Sequence, residues 1–189
     1  LGMTHDRYHE IRAAHQWQIP SRYNIGVDIC DRIAATHPDA IAMVWEDLAG
    51  TDHTITYGWL RERSNRLANG LRAQGLQRGD RVAVLLGQRP ETAVAHIAIL
   101  KAGLVSVPLF TAFAEDALAH RIANAGARAL ITDAEQLPKA VGLLKRGLDL
   151  RPVLCIGGVE NGILAFDAFL DSGAPDFQPV DTSAEDDAL

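Results

Sequence analysis

The 189 residues include 18 Lys and Arg against 24 Asp and Glu, a net charge of −6, with 48% hydrophobic and 22% charged residues. That is globular composition for one domain or a little more, and it excludes a disordered chain. A basic excess able to neutralise phosphates is missing, which argues against nucleic acid as a partner. The charge is uneven: after Arg151 there are eight acidic residues and no Lys or Arg, which leaves +2 on residues 1–151. Residues 173–189 therefore read as a solvated acidic linker.

In chain order, residues 1–22 read as a polar helix and a linker, stopped by Pro20, which restricts its predecessor away from helix. Asn24 is suited to cap a helix over about 25–36, with Ile25, Ile29, Ile33 and Ala34 near one face. Residues 40–45 and 53–56 read as a hairpin across a turn containing Gly50. Thr56 can cap the next helix, whose stripe is Leu60, Ser64, Leu67 and Leu71, and Gly75 fits the position after its end. From there the chain alternates. Strands are expected near Val82, Leu104, Arg128 and Pro152, and helices over about 90–102, 114–125, 134–146 and 164–171. Such alternation predicts an α/β fold: a doubly wound, mostly parallel sheet with helices on both faces, preceded by a small helical and hairpin segment. The α/β unit spans 23–172.

Candidate sites read from the residues are few. Gly157, Gly158 and Gly162 could cradle an anion at a helix start, yet they match neither G-x-G-x-x-G nor a Walker sequence, so a surface turn is the better reading. The run from Gly142 to Gly147 fails the same test. His5 and His9 share an i,i+4 spacing with His15 nearby, but metal binding needs a third or fourth placed ligand, and an exposed polar helix explains them. His96, amid an apolar helix, reads as a hydrogen-bonded core residue. Cys30 and Cys155 fall in apolar elements and read as buried free thiols, which fits a reducing, cytoplasmic location. No signal peptide is legible, and no apolar run is long enough to span a bilayer.

Several segments, in order, resemble the AMP-forming acyl-CoA synthetases of the adenylate-forming superfamily. They are Tyr23-Asn24-Ile25, Ile55-Thr56-Tyr57-Gly58-Trp59-Leu60, Ser64-Asn65-Arg66-Leu67-Ala68, Gly79-Asp80-Arg81-Val82-Ala83 and Arg89-Pro90-Glu91. Lys101-Ala102-Gly103, Val107-Pro108-Leu109, Phe110-Thr111-Ala112-Phe113, Arg121-Ile122 and 128–133 complete the set. The similarity covers most of residues 20–140, and the start and the Phe-Thr-Ala-Phe segment look most like acetyl- and medium-chain acyl-CoA synthetases.

The resemblance implies an enzyme that uses ATP, Mg²⁺ and CoA to activate an acid as acyl-adenylate and form acyl-CoA. The family's Ser/Thr/Gly-rich phosphate loop, metal-holding acid, ribose-binding Asp, hinge and C-terminal lysine are expected after Leu189. None has a counterpart in this sequence, so the chain alone is expected not to form adenylate and to hold no cofactor. Two CoA contacts are implied. Ala112 stands where the acetyl-CoA synthetases have a glycine near CoA. Lys139 lies where that family places arginines facing the CoA nucleotide phosphate. The expected partner is the remainder of a synthetase, with self-association through faces left apolar. The competing expectation is a stand-alone α/β nucleotide-binding or interaction module.

Overall fold

The computed structural model describes residues 3–160 and 162–189, with side chains from Arg7 onward. Helix α1 (Met3–Ala14) is followed by an extended, exposed stretch to Pro20. A π-helical turn (Val27–Asp31) runs into α2 (Arg32–Thr36), so the helix expected over 25–36 is present but widened in its middle. Asn24 Oδ1 accepts from the Val27 amide at 3.1 Å, as a cap should. Strands β1 (Ile41–Glu46) and β2 (Asp52–Thr56) form the antiparallel hairpin. Thr56 then caps α3 (Tyr57–Ala73) by accepting from the Trp59 amide at 3.2 Å. Gly75, with φ 84°, follows the end of the helix, and the last carbonyls are closed by Gly75 N to Arg72 O and Leu76 N to Leu71 O.

The main sheet is wholly parallel. It holds β3 (Arg81–Leu85), β4 (Val105–Pro108), β5 (Ala127–Asp133), β6 (Val153–Ile156) and β7 (Leu164–Ala165), in the spatial order β4-β3-β5-β6-β7. Helices α4 (Pro90–Lys101), α5 (Glu115–Ala125) and α6 (Leu137–Lys145) make the crossovers, and α7 (Phe166–Asp171) follows β7. The period of two along each strand separates two cores. Val82, Val84, Ala129, Ile131 and Leu154 face α3, α4 and α7. Ala83, Leu85, Leu130, Val153 and Cys155 face α5 and α6. The sheet is therefore doubly wound, as its alternation predicts.

Three expectations are adjusted. The helix expected over 164–171 begins only at Phe166, because Leu164 and Ala165 pair with Leu154 and Cys155 as a fifth strand. The helix expected over 134–146 begins at Leu137, because Asp133 Oδ1 first accepts from the Gln136 amide and closes a turn. The picture of 173–189 as a solvated acidic linker is also corrected. Asn65 and Asn69 side chains donate to the carbonyls of Pro175, Ala174 and Asp176, and the Arg72 guanidinium lies 4.8 Å over Phe177. Farther on, the Val180 amide donates to Lys101 O, Tyr23 N donates to Thr182 O, and Thr182 Oγ1 donates back to Tyr23 O at 2.7 Å. Asp181 and Asp186 pair with Arg22 and Arg78. Two of the five acids thus have partners in the positive part of the chain, and with the backbone bonds they make the segment pack as a strap.

Candidate functional site

In an open α/β sheet, ligands gather outside the carboxyl ends of the strands, above all where the strand order reverses. Here the reversal lies between β3 and β5. An open groove there is lined by Gly87, Gln88 and Arg89 after β3, by Asp133 and Glu135 after β5, and by Trp45, Asp47, Leu48 and Ala49 of the hairpin. The hairpin is held over the groove by Trp45 Nε1 donating to Gln88 O at 3.1 Å. His53 stacks on Trp45 with ring centroids 5.1 Å apart and bonds Asp47 through Nε2 at 2.9 Å. That bond to His53, aided by backbone amides, holds the Asp47 carboxyl below its usual range. The groove is poor for phosphate. Its three carboxylates face one cation, and Arg89 is already bound to Glu91 at 2.8 Å. Pro90 opens α4 at the position where an anion site needs an amide donor.

The other candidate lies after β4. Phe110 to Phe113 form a tight turn, closed by the Phe113 amide donating to Phe110 O at 3.0 Å. The two rings meet edge-on, 5.6 Å apart, and Phe110 is 64% exposed. Ala112 sits at the exposed tip. Among the described residues, every one with positive φ is a glycine, so Ala112 stands in place of the expected glycine without backbone strain. Lys139, in the first turn of α6, reaches back and donates from Nζ to the Thr111 carbonyl at 2.6 Å. The structure thus brings Ala112 and Lys139 to one turn. It also adds Arg121, whose guanidinium lies 4.1 Å over the Phe113 ring. Arg121 belongs to a segment that matches the family pattern, but nothing in its spacing announces the stacking. The turn offers an exposed aromatic face with Lys139 and Arg121 bound at its base, an arrangement suited to stacking a flat ring.

The remaining candidates do other work. His96 Nδ1 bonds Ser106 Oγ at 2.8 Å, and burial lowers its pKa below the ordinary value. It is a hydrogen-bonded core residue. Cys30 and Cys155 are buried free thiols, and burial raises the pKa of Cys30 to about 11, which makes it a poor nucleophile at neutral pH. Gly157 and Gly162 take positive φ in a surface turn that leads to β7; Asn161 lies outside the described residues. The His5 side chain is likewise outside them, and the described residues contain no cluster of three or more metal-ligating side chains. No described helix is long and apolar enough to cross a membrane.

Lys101 is the charged residue that sequence reasoning passed over. It is fully buried, bonds Ser64 Oγ and Asn65 Oδ1 at 2.8 Å each, and pairs with Asp31 at 2.5 Å. Burial lowers its pKa, and the Asp31 carboxylate opposes that shift. Its own carbonyl accepts from Val180 N and from Asn24 Nδ2. The residue ties the π-helical turn, α3, α4 and the C-terminal strap at the strand-start end, far from either candidate.

Known proteins share the family and the fold of this chain. Residues 30–188 match the family described as AMP-binding enzyme. The acetyl-coenzyme A synthetase of Shewanella baltica (strain OS195) is 35% identical over 135 residues, 70% of this chain and 21% of that protein. That of Xanthobacter autotrophicus (strain ATCC BAA-1158 / Py2) is 35% identical over 143 residues, 75% of this chain and 22% of its own. Among solved structures, a Brucella canis acyl-CoA synthetase superposes with TM-score 0.80 at 24% identity, covering 95% of this chain and 33% of that one. The anthranilate CoA ligase AuaEII, in complex with anthranoyl-AMP, gives 0.81 at 23% identity, over 89% and 32%. The chain spans about a fifth of the length of the curated relatives it matches.

Proposed function

This chain belongs to the AMP-binding enzyme family, and from that premise we propose that it is the N-terminal scaffold of an AMP-forming acyl-CoA synthetase for acetate or another short or medium-chain acid. The whole enzyme would use ATP and Mg²⁺ to convert the acid to acyl-adenylate, then pass the acyl group to the thiol of CoA. Such chemistry works by positioning phosphates and neutralising developing charge. None of the 189 residues is assigned to those steps, and the chain alone is proposed to be inert in adenylation.

Its own contribution is a seat for the nucleotide end of CoA on the turn after β4. The observation that carries this is the exposed Phe110 ring beside Ala112, with Lys139 and Arg121 at the base of the turn. Calorimetric titration of the pure chain tests it, together with ATP–pyrophosphate exchange. The expected result is saturable binding of CoA, none of ATP-Mg²⁺, and no exchange. Exchange activity would overturn the scaffold role. ATP binding without CoA binding would favour the competing stand-alone nucleotide-binding module, which the negative groove at the β3/β5 reversal does not support.

The remainder of a synthetase is the proposed partner. Exposed Trp17, Ile19 and Val44 are proposed to drive self-association of the 189-residue chain. Light scattering should find a dimer or larger species; a monomer at high concentration would contradict this. The two buried free thiols support a cytoplasmic, reducing location.

A further inference from the structure

Lys139 and Gly142 of α6 and Arg146, the residue that caps its C-terminal end, stand at i, i+3 and i+7, which places them on one side of the helix. Each meets the segment 111–116. Lys139 Nζ donates to the Thr111 carbonyl at 2.6 Å. A Cβ at Gly142 would lie 2.0 Å from Glu115 Oε2, so the absence of a side chain is what lets that carboxylate lie against the helix. Arg146 pairs with Glu115 at 2.5 Å and with Asp116 at 2.6 Å. From the other side, Arg121 of α5 stacks on Phe113.

We infer that this face of α6 is a rack that presets the Phe110–Phe113 turn, with Lys139 as a positioning residue and not as the cation that meets a ligand phosphate. The role of the preset turn rests on the reading of that turn as the CoA seat. An ammonium has three donors and no acceptor. Lys139 has directed one donor at a carbonyl of the turn itself, and a charged donor makes this bond stronger than a neutral one. A phosphate approaching Nζ would compete with that bond and loosen the turn whose Phe110 ring is to be stacked upon. Held as it is, the turn meets its ligand already ordered, which removes part of the entropic cost of binding. Gly142 and Arg146 do the same for the residues that follow, so the exit from the turn into α5 is fixed by the same helix face.

The test uses the 189-residue chain and its Lys139→Met, Lys139→Arg and Gly142→Ala variants. Hydrogen exchange is read at the Phe113 and Leu118 amides, which bond to Phe110 O and Ala114 O, with Leu130 and Thr132 of β5 as the internal reference. Lys139→Met should speed exchange at Phe113 about tenfold, the size expected for loss of one charge-assisted hydrogen bond, and leave β5 unchanged. Lys139→Arg, which retains a charged donor, should restore the slow rate. Gly142→Ala, which expels the Glu115 carboxylate, should speed exchange at Leu118. In calorimetry, Lys139→Met should weaken CoA and 3′-dephospho-CoA by the same factor. An unchanged Phe113 rate in Lys139→Met, or a loss confined to CoA with its extra phosphate, would overturn the positioning role. If the unaltered chain binds neither ligand, the CoA seat is refuted, while the exchange rates still decide whether the rack exists.

Discussion

At the strand-start end of the sheet, Asp80 accepts from the Gln77 amide and from Arg128 at 2.5 Å, while Arg81 donates to the carbonyls of Gly79, Ala125 and Gly126. The Lys101 cluster lies beside them, and the strap closes over both as Ser106 N donates to Ala188 O. At the strand-finish end, the side-chain bonds to the loops after β3, β4 and β5 are fewer and half of them neutral: Trp45 donates to Gln88 O, Thr92 to Gly87 O and Lys139 to Thr111 O, while Asp133 accepts from the Gln136 amide. Phe110 and Leu48 stand in solvent there. The same residue types thus serve opposite ends. Where charges are spent on many backbone partners the end is closed and acts as scaffold. Where one charge holds one carbonyl and leaves an aromatic face open, the end can recognise something.

The contrast breaks most visibly at Lys101. Lys101→Met leaves Asp31 without its buried partner and should cost about 3–5 kcal/mol, read as a lower urea midpoint. A loss under about 1 kcal/mol would mean that the closed end is not held by this pair. Gly26→Ala comes next. Its Cβ would meet Ile97 O and Lys101 Cγ at 2.8 Å and Lys101 N at 2.9 Å, contacts with backbone that cannot easily give. A cost of about 1–3 kcal/mol follows from overpacking. Thr182→Val removes the hydroxyl bond to Tyr23 O and should cost about 1 kcal/mol. It should also speed proteolytic clipping after Val180 without altering CoA binding at the other end.

The smallest effect is a pH slope from His96. Its pKa is lowered by burial, so below about 6.5 the unfolded chain binds more protons than the folded one. Stability is then full above about pH 6.5 and declines as pH falls below it. Comparing denaturation midpoints at several pH values should show a shallower slope in that window for His96→Gln. An identical slope would place the titration elsewhere.

The sheet was legible because its strands are short apolar runs at regular spacing, and the caps Asn24 and Thr56 announce their helices. The strand β7 was not, since two residues leave no periodic signal and the apolar Phe166, Phe169 and Leu170 extend a helical pattern through them. The strap is illegible for a different reason. A run of acids reads as solvated until Arg22, Arg78 and the amides of Asn65 and Asn69 are brought to it, and all are more than a hundred residues away in the chain. Of the site, Ala112 and Lys139 were reached through family resemblance, while the Lys139–Gly142–Arg146 spacing stood in the sequence as a helix face whose target only the fold supplies. Lys101 was hidden because a lone lysine at a helix end ordinarily faces water.

The most direct measurement is a residue-resolved hydrogen-exchange map of the 189-residue chain with and without saturating CoA. Protection should gather at the Phe110–Phe113 turn and the first turn of α6, with the groove between β3 and β5 and the strand-start end unchanged. Protection centred on Trp45, Arg89 and Glu135, or none anywhere, would contradict the assignment of recognition to the turn after β4.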